Sequence, residues 1–258
     1  MNFIKLEGNG TLAHWRTATG LDLLHPQEEV VVGGANKLRG GAPVCCPVFG
    51  DMPISNRYVD ANLPKHGLVR IVYKLNPKQV FYHLSQDFDT DGAVTKESFY
   101  GNFAMREIFP WMHTVKITVS AVGENSLSHA IRVRRSRKCR NGFLMPLSMG
   151  LHPYFSTKGR PFSIRSESKS VALSDRDIEC DRPIFIKLES GDNMLVRLGH
   201  GTIKLAISGG TENMFYIWTD YRMKYICVEP VYAARDMPWL LFPGDVYEGR
   251  CVMSFEPI

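Results

Sequence analysis

The feature that most limits how this chain can fold is the period of its apolar residues, which is two. Short runs such as EVVVGG, RIVYKL, TVKITVSAV, HAIRVRR, KLAISG, MFYIWT, YICVEPVY and RCVMSF are rich in β-branched and aromatic residues. Clusters of Gly, Pro, Asn and Asp separate them. Alternation puts every second side chain on one face of a strand. Many short strands with turn residues between them predict an all-β sandwich or barrel. No stretch combines helix caps with a 3.6-residue period. No repeat or low-complexity linker divides the 258 residues, so one domain spanning 1–258 is expected.

With 44% hydrophobic and 22% charged residues, the chain can bury a sizeable core without covalent staples. A net charge of +5 suits an anionic small ligand and is too weak to argue for nucleic acid. The six cysteines, Cys45, Cys46, Cys139, Cys180, Cys227 and Cys251, form no C-x-x-C pair. Several sit in apolar strand-like runs and read as small buried hydrophobes of a reducing, cytoplasmic compartment. The N-terminal residues lack the apolar core of a secretion signal, and no apolar run approaches 18 residues, so no membrane span is expected.

Two local patterns promise more than they hold. DFDTDG, Asp87 to Gly92, begins like a calcium loop. The bidentate glutamate such a loop needs at its twelfth position is Ser98 here, so an acidic turn within a hairpin region is the better reading. RVRRSRKCR, Arg132 to Arg140, is strongly basic but carries no aromatic residues for base stacking. A solvated edge strand protected by charge is expected, not a nucleic-acid surface.

Four further stretches place polar chemistry on strand ends. RGGAPVCCPVFG exposes Arg39 before two glycines and is not a P-loop, since no G-K-[ST] follows. In LPKHGLVR, His66 and Arg70 share a face if the segment is extended. In MGLHPYF, His152 and Tyr154 face one way while Leu151, Pro153 and Phe155 face the other. In YICVEP, Tyr225, Cys227 and Glu229 share a face and Pro230 ends the pattern. A carboxylate on a half-buried strand is costly unless paired. Glu229 is therefore either half of a structural ion pair or a general base.

Taken in order, these stretches resemble the aldose 1-epimerases of the galactose mutarotase-like group. LRGGAPVCCPVFG is similar to an R-G-G-x-P-x-x-x-P-x-F-G segment, LPKHGLVR to L-P-x-H-G-x-x-R, and NGFLMPLSMGLHPYF to a histidine strand usually ending L-H-T-Y-F. DRPIF, YICVEP and LLFPGDVYEG follow at the places of T-D-R-V-Y, V-C-V-E-P and L-x-P-G-E. More narrowly, the chain resembles the D-hexose-6-phosphate mutarotase (glucose-6-phosphate 1-epimerase) branch. The resemblance implies a large antiparallel β-sandwich and an isomerase that interconverts α and β anomers. It implies Glu229 as general base, His152 as general acid, and Arg39, Lys65, His66, Arg70 and Asp181 as substrate contacts. Arg39 and Arg70 would hold a 6-phosphate. No cofactor and no metal are implied; the partner is a sugar or sugar phosphate, and a monomer is expected. The chain departs from the pattern at Lys65 (usually Gln), Pro153 (Thr), Cys180 (Thr), Pro183 (Val) and Asp245 (Glu). The alternatives are an epimerase of unphosphorylated sugars and a non-catalytic carbohydrate-binding protein on the same fold.

Overall fold

A computed structural model describes residues 3–7, 11–32, 34–50, 82–88, 94–101, 109, 111–138, 144–210, 213–220, 224–233 and 239–258. Lys65, His66 and Arg70 lie outside the described residues. Among the described residues there is no α-helix, and the strands are short, as the period of two predicts. The first seven are β1 (Phe3–Glu7), β2 (Thr11–Arg16), β3 (Glu28–Val32), β4 (Ala35–Arg39), β5 (Val44–Cys45), β6 (Tyr82–Phe88) and β7 (Val94–Gly101). Next come β8 (His113–Gly123), β9 (Ser126–Arg135), β10 (Met145–Leu147), β11 (Met149–Leu151), β12 (Tyr154–Ser156), β13 (Ser163–Ser166) and β14 (Ala172–Ser174). The last are β15 (Ile184–Leu188), β16 (Met194–Leu198), β17 (Gly201–Ser208), β18 (Asn213–Trp218), β19 (Tyr225–Ala233), β20 (Trp239–Leu241) and β21 (Val246–Pro257).

Two antiparallel sheets dominate. A nine-stranded sheet runs β14-β13-β16-β17-β21-β9-β8-β7-β6. A six-stranded sheet runs β15-β18-β19-β11-β5, with β12 also paired to β19. Their facing sides share one core. Val115, Ile117, Ile131, Val133, Ile203, Leu205 and Met253 from the larger sheet meet Leu151, Phe155, Ile186, Phe215, Ile217, Ile226 and Val228 from the smaller. This is a β-sandwich, the architecture the alternating runs predict.

Asp87 and Phe88 of DFDTDG close β6, which pairs with β7 from Tyr82↔Gly101 to Phe88↔Thr95, and Asp89 to Gly92 lie outside the described residues. An EF-hand would need helices on both sides. The arginine-rich run is not an edge, contrary to the sequence reading. β9 is hydrogen-bonded to β8 on one side and β21 on the other. Its outward residues Arg132 and Arg134 are exposed, while Ile131 and Val133 point into the core. One solvated face of an antiparallel sheet allows charges on an interior strand, and the sequence pattern is the same as at an edge. Arg135 at the end of β9 is fully buried and donates from Nη1 to the Leu241 carbonyl at 2.6 Å.

The five described cysteines are free; Cys45, Cys46, Cys227 and Cys251 are buried. Burial pushes the Cys46 and Cys251 thiols well up, as small hydrophobes of the core. Among the described residues no helix is long and apolar enough to cross a membrane.

Candidate active site

The face of the six-stranded sheet turned away from the core carries the candidate site residues Glu229 and His152. On β19, Ile226 and Val228 enter the core, so Tyr225, Cys227, Glu229 and Val231 take the other side. β18 matches them across the ladder, with Trp218 opposite Cys227 and Tyr216 opposite Glu229. β15 continues the row, with Phe185 opposite Tyr216.

The register also fixes His152. Gly150 pairs with Val231 and Tyr154 with Cys227. The same register carried through residues 151–153 sets His152 directly opposite Glu229. The His152 Nε2 atom lies 3.3 Å from Glu229 Oε1, and both side chains are about 95% buried, with exposures of 6% and 5%. The two histidine-strand and glutamate-strand motifs therefore meet, and the buried carboxylate has the partner it requires. One rung thus holds His152, Glu229, Tyr216 and Phe185 in sequence, at the strand spacing of about 4.8 Å.

Pro153 acquires a physical account. His152 and Tyr154 donate their amide N–H groups to the carbonyls of Pro43 and Gly41, at 3.0 and 2.9 Å, away from β19. The amide of residue 153 then faces β19, and proline has none to give. A rung is missing there, which separates β11 from β12 and frees the backbone beside His152 from the ladder. The RGGAP segment is the other rail of this arrangement. Gly40 and Gly41 have φ of 96° and 68°. A Cβ at Gly40 would stand 2.2 Å from the Pro26 carbonyl oxygen, and at Gly41 2.9 Å from that of Leu12. These glycines permit that close backbone packing.

Gly150 is equally confined. A Cβ there would lie 2.5 Å from the Pro230 carbonyl oxygen and 2.8 Å from the Phe49 ring. Gly150→Ala is expected to push β11 from β19, destabilise the fold by about 1–3 kcal/mol, and widen the His152–Glu229 distance. Denaturant unfolding checks the first effect; activity per folded molecule checks the second.

Aromatic rings wall the pair. Tyr154 stacks on His152 with centroids 4.6 Å apart and planes at 10°. Trp218 meets His152 edge-on at 6.0 Å. Arg39 places its guanidinium carbon 4.9 Å from the Trp218 ring centre, a cation–π contact. Its Nε is buried and has no hydrogen-bond partner among the described residues. Below, the Tyr225 hydroxyl donates to the Asp220 carboxylate. Burial and that carboxylate push the Tyr225 phenol far up, so it remains a donor throughout the physiological range.

Asp181 stands further out. It is exposed, adopts φ 60°, and its N–H donates to the carbonyl of Thr219, one residue beyond Trp218. Its neighbour Cys180 donates its thiol to the Asp220 carbonyl. The structure thus brings together His152, Glu229 and, through Trp218, Arg39, with Asp181 at the rim. Trp218, Tyr216, Tyr225 and Asp220 were not anticipated. The signal was present in MFYIWT, whose alternate residues Tyr216 and Trp218 are large, half-polar and on one face. Asp245, at the place of the expected glutamate, accepts the Phe242 N–H at 2.7 Å and closes a turn.

No protein-family profile matches the chain, and no curated protein does. Solved structures do. A galactose mutarotase related enzyme from Lactobacillus acidophilus is 15% identical, with a TM-score of 0.72 over 99% of this chain and 97% of its own. A galactose mutarotase-like protein from Lactobacillus casei is 14% identical, with a TM-score of 0.75 over 99% and 97%. An aldose epimerase homologue from C. elegans is 12% identical, with a TM-score of 0.63 over 100% and 96%. The two-sheet architecture, matched along nearly the whole length of these chains, is the galactose mutarotase-like β-sandwich fold.

Proposed function

We propose that this protein is a mutarotase that interconverts the α and β anomers of hexose 6-phosphates by acid–base ring opening. The observation that carries the reading is the buried His152–Glu229 pair, 3.3 Å apart on one rung of the sheet. Ring opening needs a proton removed from the C1 hydroxyl and a proton delivered to the ring oxygen. Both oxygens hang on C1, so two adjacent groups of opposite protonation state reach both from one side. The geometry favours two groups side by side.

Glu229 takes the proton from the C1 hydroxyl while His152, as imidazolium, gives its proton to the ring oxygen. The bond between C1 and the ring oxygen breaks and C1 becomes an aldehyde. Rotation about the C1–C2 bond presents the other aldehyde face. On reclosure His152 recovers its proton from the attacking hydroxyl and Glu229 returns the other to the new hydroxyl. The aromatic walls keep water from the pair and offer apolar faces to the sugar ring.

The phosphate preference is supported by Arg39. Its guanidinium is held over Trp218, which meets His152 edge-on, and its buried Nε has no hydrogen-bond partner among the described residues. An arginine so placed suits charge-assisted bonds to a phosphate dianion. Lys65, His66 and Arg70 remain candidates for the same end of the ligand, and Asp181 for a sugar hydroxyl at the rim.

Exchange NMR of glucose, galactose and their 6-phosphates tests the reading. Faster exchange of a 6-phosphate than of its free sugar, with competition by inorganic phosphate, is expected. Exchange of free sugars alone, indifferent to phosphate, would make this an epimerase of unphosphorylated aldoses. No acceleration of any anomer with retained sugar binding would make it a carbohydrate-binding protein. Arg39→Ala is expected to raise KM for the 6-phosphate by about 10-fold or more, the loss of a charge-assisted bond worth about 1.5–3 kcal/mol, and to change that for free glucose little.

A further inference from the structure

The geometry points to a second use of the same pair: His152, Cys227 and Glu229 together form a chelating site for a thiophilic divalent cation such as Zn²⁺, and filling it shuts the acid–base pair down. Among the described residues these are three metal-ligating side chains whose ligand atoms all lie within 4.8 Å of one another, all buried. Cys227 and Glu229 come from β19, and His152 from the link between β11 and β12, whose register against β19 is fixed on either side, so the site is built into the sheet.

The distances suit the ion. Zinc bonds of about 2.0–2.1 Å to imidazole nitrogen and carboxylate oxygen, at the tetrahedral angle, place those two atoms about 3.3–3.4 Å apart. His152 Nε2 and Glu229 Oε1 are 3.3 Å apart. A bond of about 2.3 Å to sulfur asks for about 3.5 Å from Sγ to each of the others. Cys227 therefore closes by about 1.3 Å at most, within reach of a side-chain adjustment. The charge also balances. Cys227 binds as thiolate, releasing its proton to solvent, and Glu229 as carboxylate, so the two offset the ion's charge in a buried site. Three protein ligands leave the fourth position to water or a sugar hydroxyl.

The other described buried thiols cannot do this. Cys45, Cys46 and Cys251 belong to apolar clusters, and among the described residues no group of three ligands includes them. Chelation uses the lone pair of His152 Nε2 and the Glu229 oxygen that proton transfer needs. A bound ion is therefore an inhibitor and not a cofactor. That consequence rests on the mutarotase reading; the binding itself does not.

Two measurements on the full chain, stripped of metal with a chelator, keep the two claims apart. Co²⁺ titration reads the site directly: one ion per chain is expected, with a thiolate-to-cobalt charge-transfer band that Zn²⁺ displaces and that Cys227→Ser lacks. Zn²⁺ titration of anomer exchange reads the consequence: at saturation, exchange is expected to fall at least tenfold, to recover with chelator, and to be protected by sugar phosphate. For Cys227→Ser the inhibiting Zn²⁺ concentration should rise about 10–100-fold or more, since loss of even an outer partner costs that much affinity. Absence of the cobalt band in the parent chain overturns the site, whatever the activity. Equal Zn²⁺ sensitivity of parent and Cys227→Ser overturns it too. If that variant does not fold, Cys227→Ala and the parent's cobalt spectrum decide. A cobalt band without any exchange activity leaves the metal site standing and defeats the mutarotase reading.

Discussion

Glu229→Gln is expected to slow anomer exchange by about 10²–10⁴-fold, the contribution of a positioned general base, while sugar-phosphate binding survives. Glutamine keeps the shape and a carbonyl acceptor beside His152 but cannot take a proton. It also removes the negative charge opposite His152, so the imidazolium of the proposed mechanism would lose its counter-ion on the buried rung. The loss should therefore fall on kcat more than on KM. Exchange NMR gives the rate and calorimetry the binding. An exchange rate within a factor of a few of the parent's would remove Glu229 from the chemistry and leave the pair as a structural ion pair.

Acidification is the second large effect expected. Two histidines lie inside the sandwich and play no part in the site. His129 on β9 sits between Val119 of β8 and Cys251 of β21, fully buried, and neither ring nitrogen has a hydrogen-bond partner among the described residues. Burial lowers it to about 3. His113 donates from Nδ1 to the Trp111 carbonyl at 2.9 Å, and burial lowers it to about 4 despite that bond.

Both rings are neutral in the folded chain and bind protons below about pH 6.5 in the unfolded one. Their contribution is complete above pH 6.5 and is lost as pH falls through 4 and then 3. At pH 5 each has given up on the order of 2 kcal/mol, at about 1.4 kcal/mol per pH unit below the unfolded value. The thermal midpoint should therefore drop steeply between pH 7 and pH 5. His129→Leu should raise the midpoint at neutral pH by relieving an unsatisfied buried group, and flatten the drop. A variant whose midpoint falls with pH as steeply as the parent's would clear His129 of the effect.

The sequence carried the sandwich because period-two alternation has few other solutions. It carried His152 and Glu229 because each stands beside a proline with its neighbours' parity fixed, although β19 runs on through Pro230 to Ala233 instead of ending there. It could not carry their meeting, which depends on the pairing of Gly150 with Val231 and Tyr154 with Cys227, a non-local register. Arg132 and Arg134 misled because a charged, alternating strand looks the same at an edge and in the middle of a sheet with one wet face. Trp218 and Tyr216 escaped notice because aromatic residues in an apolar run read as core. Only the second buried face of the smaller sheet turns them into walls of a site.

That smaller sheet has a further meaning. β19 is buried on both sides, with the hydrophobic interior behind it and the His152–Glu229 pair in front. A shift of one residue along it would exchange the two sides completely, sending Glu229 into the oil and Val228 to His152. An insertion or deletion of one residue between Tyr225 and Glu229 would thus break the pair. Tyr216 stands opposite Glu229, and Phe185 and Phe49 pack on Tyr216, without setting that alignment. On the proposed mutarotase reading, a new sugar preference would therefore come from exchange of side chains there, with the length of the central strand held constant.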